Sequence, residues 1–150
     1  MPDSLAITPG LSPETAADLE ARIRRKLLRQ NFMHLIGADL TAIAPGRVEA
    51  ELDLGQQHLQ QRGFAHGGLV ATMADLVAGF AGVTLLPDDY GLVTADLKIS
   101  YLNPGVGAKI KAIGWVLKPG RRLHFYEAEV WCDEVLIAKA TATMAVLEPS

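Results

Sequence analysis

Residues 60–86, QQRGFAHGGLVATMADLVAGFAGVTLL, limit what this chain can fold into more than any other stretch. A glycine-rich turn, Gly63 to Gly68, opens onto an apolar run from Leu69 to Leu86 that holds one ionisable residue, Asp75. A run that is apolar on nearly all sides reads as a helix over 66–84 that other elements must wrap. A carboxylate buried there without partners is strongly unfavourable, so something must compensate for it. A functional site is the natural reading. The run is about long enough to span a bilayer. However, a carboxylate in its interior, with Gly79 and Gly82, argues against membrane insertion.

The flanking sequence supplies the wrapping. Residues 12–30 read as a leading helix, with Ser12 as N-cap, Pro13 at the first helical position and an apolar stripe of Ala16, Leu19, Ile23 and Leu27. Its acidic residues lie early and its basic ones late, which suits the helix dipole. The basic cluster is either a solvated face or a contact for an anion. Residues 31–46 read as a loop entering a strand that closes on Pro45-Gly46. Residues 47–54 alternate, with Val48, Ala50, Leu52 and Leu54 on one face.

After the break at Pro87-Asp88-Asp89 four more alternating strands follow. In 92–103 Val93, Ala95, Leu97, Ile99 and Tyr101 share a face, and Thr94, Asp96, Lys98 and Ser100 share the other. In 108–118 Ile110, Ala112, Gly114 and Val116 align. A strand then runs through Trp131, and 135–147 sets Leu136, Ala138, Ala140, Ala142, Met144 and Val146 toward the core. Short turns at Asn103-Pro104-Gly105, Pro119-Gly120 and Asp133-Glu134 join them. The expected class is α+β: an antiparallel sheet covered on one side by the long helix. Residues 1–31 form an N-terminal helical extension and 32–150 the main domain.

Apolar residues make up 49% of the 150 and charged ones 21%, enough for a sizeable core. A net charge of −3 argues against general nucleic-acid binding. The single cysteine, Cys132, cannot form an internal disulfide and has no nucleophile signature, and with four scattered histidines it makes no recognised zinc set. The start MPDSLAITPG lacks a basic segment and an apolar core of the secretory kind, so a cytoplasmic location is expected.

The motif Gly63…His66-Gly67-Gly68…Asp75, followed by the strand Thr94-Ala95-Asp96-Leu97-Lys98-Ile99-Ser100-Tyr101-Leu102-Asn103-Pro104, then Gly107 and Gly120-Arg121, resembles the hot-dog fold acyl-CoA thioesterases of the phenylacetate-pathway and 4-hydroxybenzoyl-CoA type. The resemblance covers roughly residues 32–147. It implies an antiparallel sheet wrapped around a central helix, thioester hydrolysis without a cofactor beyond the coenzyme A of the substrate, no metal, and a homodimer or homotetramer with coenzyme A lying across a subunit boundary. It implies Asp75 as general base or nucleophile, the Gly67 N–H and the Gln60 amide as donors to the thioester carbonyl, and a hydroxyl at Thr94 assisting water. Threonine there departs from the serine of other members. The acyl carrier is coenzyme A or an acyl carrier protein.

The chemistry suits these residue types. Hydrolysis needs stabilisation of a developing oxyanion and a base or nucleophile. A helix start offers free N–H groups, and glycine lets a ligand approach the backbone. Gly67 and Asp75 are eight residues apart, or about 12 Å along one helix. One thioester cannot readily meet both in the same chain. Two antiparallel helices from two subunits would bring them together, which predicts an isologous dimer with two composite sites.

His66 is either a structural residue of the turn or a direct aid to the thioester. Arg121 and Arg122 are contacts for coenzyme A phosphates or residues of a solvated turn. Gly68, Phe64, Leu69 and Phe80, with Phe32, are candidate substrate-pocket walls or ordinary core. A non-catalytic thioester-binding module and a hot-dog dehydratase or hydratase stay open as alternatives, although His66 and Asp75 fall on opposite sides of the helix.

Overall fold

The computed structural model describes residues 14–150. Ser12 and Pro13 lie outside that range. The leading helix, α1 (Ala16–Leu28), is capped by Thr15, whose hydroxyl accepts from the Asp18 N–H at 3.1 Å. Leu19, Ile23 and Leu27 recur every fourth residue and are buried in the same core cluster as the central helix. A short helix, α2 (Asn31–Ile36), follows where the sequence suggested only a loop. It has too few turns to show periodicity, and its cap residue Gln30 makes no side-chain bond. Gly37, in the left-handed region at φ 79°, ends it.

Six strands form one antiparallel sheet: β1 (Asp39–Ala44), β2 (Arg47–Asp53), β3 (Gly91–Tyr101), β4 (Lys109–Pro119), β5 (Leu123–Cys132) and β6 (Val135–Leu147). Their spatial order is β1-β2-β4-β5-β6-β3, so β3 closes one edge. The central helix, α3 (Gly67–Val83), crosses the concave face, and ten of its residues are buried. The sheet and helix approach closely. A Cβ at Gly114 of β4 would lie 2.6 Å from the Val77 carbonyl carbon, so glycine there lets the strand lie against the helix backbone. This is the wrapped-helix arrangement of the hot-dog fold.

Two bulges shift the alternation expected from sequence. In β3 the pairing passes from Thr94↔Met144 to Asp96↔Thr143, leaving Ala95 unpaired. Leu97, Ile99 and Tyr101 then pair with Ala142, Ala140 and Ala138 on the helix-facing side, as does Thr94 with Met144. Thr94 therefore shares the inner face with Leu97, whereas strict alternation placed it opposite. The extra residue changes the parity of every side chain before it. Val93, expected inside, is 49% exposed. In β6 the register slips between Val130↔Ala138 and Trp131↔Leu136, and Ile137, not Leu136, is the residue buried in the core.

Candidate active site

α3 begins where the glycine-rich turn ends. His66 is the N-cap, and its Nδ1 accepts from the Gly68 N–H at 2.9 Å. The ring does the work usually given to a serine or aspartate side chain. Nδ1 must be unprotonated to accept, so the ring is engaged structurally and Gly68 has no N–H to spare. The Gly67 N–H has no partner among the described residues. It is the open donor at the positive end of the helix. The Tyr101 hydroxyl donates to the Gly67 carbonyl at 2.8 Å, and its ring lies where a Gly67 Cβ would be in contact at 3.5 Å. The helix start is thus pinned to the end of β3.

Gln60 belongs to the loop before α3. Its backbone N–H donates to the Phe64 carbonyl at 2.8 Å, and its side-chain Oε1 accepts from the Arg62 backbone N–H. A backbone N–H can only donate, so this contact fixes the amide with Oε1 occupied and Nε2 left as the available donor. Gln60, Phe64, Gly67, Tyr101 and Asn103 line a cavity of about 320 Å³.

Asp75 lies two turns further along α3 and faces a different cavity, of about 280 Å³. It is half-buried and accepts from the Thr94 hydroxyl at 2.6 Å through Oδ1. The short distance fits a charge-assisted bond. The β3 bulge makes this bond possible, because it brings Thr94 to the helix side. No described side chain bonds Oδ2. The cavity walls are apolar along one side, formed by Leu76, Gly79, Phe80, Val83, Leu92 and Met144. Lys26, Gln30, Phe32 and Met33 close another side. The leading helices therefore line the cavity beside Asp75; Phe32 of α2 was a candidate wall from the sequence, whereas Lys26, Gln30 and Met33 were not.

The other named residues separate clearly. Phe80 is buried and lines the Asp75 cavity, Phe64 lines the Gly67 cavity, and Leu69 is core and lines neither. Arg121 and Arg122 are exposed in the β4–β5 turn and line neither cavity. Cys132 is buried, and burial pushes its thiol above the ordinary range. Among the described residues no three His, Cys, Asp or Glu side chains gather as a metal ligand set, and no helix is long and apolar enough to cross a membrane.

Known proteins share this arrangement. The thioesterase superfamily profile matches residues 62–138, from the turn before α3 into β6. Human acyl-coenzyme A thioesterase 13 is 33% identical over 67% of this chain and 73% of its own length. A thioesterase family protein from Silicibacter pomeroyi superimposes with a TM-score of 0.82 at 32% identity, covering 87% of this chain and 98% of that one. A mutant of the phenylacetic acid degradation protein PaaI from Thermus thermophilus gives a TM-score of 0.69 at 30% identity, over 76% and 96%. The chain belongs to the thioesterase superfamily. It is a hot-dog thioester hydrolase.

Proposed function

We propose that the chain is a cytoplasmic, homo-oligomeric acyl-CoA thioesterase that uses no added cofactor and whose active site is shared between two subunits. The observation that carries this reading is the division of the site. The spare donors Gly67 N–H and Gln60 Nε2 face one cavity, and the carboxylate of Asp75 faces another. Gly67 and Asp75 lie about 12 Å apart along one helix. A second α3 running antiparallel would set Gly67 of one subunit beside Asp75 of the other. The β3 edge supports such pairing. It is eleven residues long with one backbone side unpaired, and Val93, Tyr101 and Leu102 at or next to it are about half exposed. An edge of that kind is a template for another strand.

In this reading the thioester carbonyl oxygen accepts from Gly67 N–H and Gln60 Nε2. Water, held by Thr94 and Asp75, attacks the carbonyl carbon as Asp75 takes its proton. The new C–O bond forms while the carbonyl electron pair moves to the oxygen, where the two donors stabilise it. Collapse breaks the C–S bond, and the leaving thiolate takes the proton from Asp75. The second route, attack by Asp75 itself to give a mixed anhydride that water then cleaves, uses the same residues. Arg121 and Arg122, which form no ion pair among the described residues, are proposed contacts for coenzyme A phosphates of the neighbouring site.

Mixing two inactive variants tests the shared site. Asp75→Ala and Gln60→Ala chains should each be impaired, Gln60→Ala by about 10- to 1000-fold as for a lost oxyanion donor. Co-refolded, they should regain thiol release, because each hybrid dimer holds one intact site. Failure of the mixture to exceed its components, with hybrid dimers shown by mass spectrometry, would reject the shared site. An active monomer in sedimentation would do the same.

A further inference from the structure

Of the residues that line the Asp75 cavity, only Asp75 itself and Lys26 carry a charge. The two make no ion pair with each other. Lys26 Nζ instead donates to the Asp88 carbonyl at 2.8 Å and lies 3.2 Å from the Asp88 carboxylate. That pair holds the cation loosely, because the Asp88 side chain is 62% exposed and an ion pair so open to water contributes little. An ammonium has three N–H donors, and the third has no partner among the described residues. Gln30, four residues on, lines the same cavity, and its side-chain amide is likewise without a hydrogen bond to a described residue. Between the two charged ends the walls are apolar, with Leu76, Phe80 and Val83 on α3 and Met33 on α2. The open space lies between α3 and the leading helices. A Cβ at Gly79 would touch Met144 at 3.8 Å, so α3 is closed against the sheet there, but it would meet no atom of α1 or α2 within 4 Å.

Resting on the thioesterase reading above, we infer that Lys26 and Gln30 recognise an anionic far end of the acyl group, so that the preferred substrates are coenzyme A half-thioesters of dicarboxylic acids. The cavity volume decides which arm of the thioester enters. At about 280 Å³ it holds roughly nine non-hydrogen atoms, taking the ~30 Å³ share of a liquid water for each. That suffices for a short acyl group and is far too little for coenzyme A. The length follows from α3. Val83, in the same cavity wall, lies about 12 Å from Asp75 along the axis. Asp88, just past that end of the helix, holds Lys26 there. A thioester carbon stands about 3.5 Å from Asp75 in a reactive pose, and a bound carboxylate about 3 Å from the Lys26 ammonium. Roughly 6 Å is left for the chain, or about five bonds at ~1.2 Å of advance each. An adipyl group meets both limits. Its second carboxylate at the far end is also kept away from Asp75, whose charge would oppose a nearer anion.

The measurement is the ratio of kcat/KM for adipyl-CoA over hexanoyl-CoA, which match in chain length and differ only at the far end. The parent should favour adipyl-CoA, and less so as salt is raised. Lys26→Met should lower the ratio by about 10- to 100-fold, as for a lost hydrogen bond to a charged group. Lys26→Arg should keep most of it. Gln30→Leu should lower it by a smaller factor, and it carries the test if Lys26→Met fails to fold. Asp88→Asn, which removes the competing carboxylate, should raise it. Calorimetric binding of the matching non-hydrolysable thioethers separates this inference from the catalytic one. A preference for the carboxylated thioether that Lys26→Met abolishes, without thiol release from either thioester, would overturn only the thioesterase reading. A parent that favours hexanoyl-CoA, or a ratio unchanged in Lys26→Met and Gln30→Leu in both turnover and binding, would overturn the recognition of an anionic end.

Discussion

At the C-terminal end of α3, Arg22 is buried and donates to the carbonyls of Leu86, Thr84 and Val83 at 3.2–3.4 Å, while its other face pairs with Glu14 at 2.8 Å. The Thr84 hydroxyl donates to the Ala81 carbonyl at 2.6 Å and accepts from the Gly46 N–H at 2.8 Å. Toward the other end, the Gly67 N–H, the Gln60 Nε2 and the second oxygen of Asp75 have no bond to a described residue, and each belongs to a residue that lines a cavity. Both regions place polar groups against the same apolar helix. The closed end uses up their hydrogen-bonding capacity, as buried polar groups require. The open end keeps capacity in reserve, which a ligand can use. Spare valence beside a cavity, rather than polarity in an apolar run, marks the site.

Substitutions at the two ends should therefore fail in different ways. Asp75→Asn carries the largest expected effect. It keeps size and one acceptor but removes the proposed base, and kcat should fall by about 10²- to 10⁴-fold. Thermal stability should stay near that of the parent in a calorimetric scan. A large loss of stability would place Asp75 with the structural polar groups instead. Arg22→Met should do the reverse. It strands several carbonyls and the Glu14 carboxylate, for a loss of roughly 3 kcal/mol of unfolding free energy in denaturant titration. Turnover per folded molecule should hardly change.

The smallest effect comes from the exception to the rule at the closed end. His124 is fully buried, and although its Nδ1 meets the Tyr126 hydroxyl at 3.0 Å, its Nε2 has no hydrogen-bond partner among the described residues. Burial holds the imidazole below its ordinary value, and the Gly120 backbone offsets this only in part. The folded state thus binds fewer protons than the unfolded chain once the pH falls below the ordinary histidine value of about 6.5. Stability should be fully present above that value and decline as the pH falls through it. His124→Phe combined with Tyr126→Phe should flatten this decline in melting curves taken across the range. An unchanged slope would show that other groups govern it.

Much of this was legible from one stretch of sequence. The glycine-rich turn, the apolar run and Asp75 marked the helix, its near-complete burial and the carboxylate at issue, because composition and spacing along a single helix are local properties. Strand alternation placed Val48, Ala50, Leu52, Ile110 and Ala112 inward for the same reason. Thr94 was a candidate, but its partner was not readable, since simple alternation put it on the wrong face. One unpaired residue, Ala95, reverses that parity, and a bulge depends on the register with β6 rather than on β3 alone. The cap formed by His66 and the tie from Tyr101 were equally hidden, while of the cavity wall formed by the leading helices only Phe32 was a candidate from the sequence.

The sequence by itself determined the class of fold and the position of Asp75 in the central helix, because each follows from residue type and periodic spacing, and its motif carried the resemblance to the family. The tertiary structure decided which donors remain free, why Gly68 is occupied and Gly67 is not, and how the bond between Thr94 and Asp75 forms. Those features depend on distances between elements far apart in the chain, and such distances are set by packing and register rather than by local order.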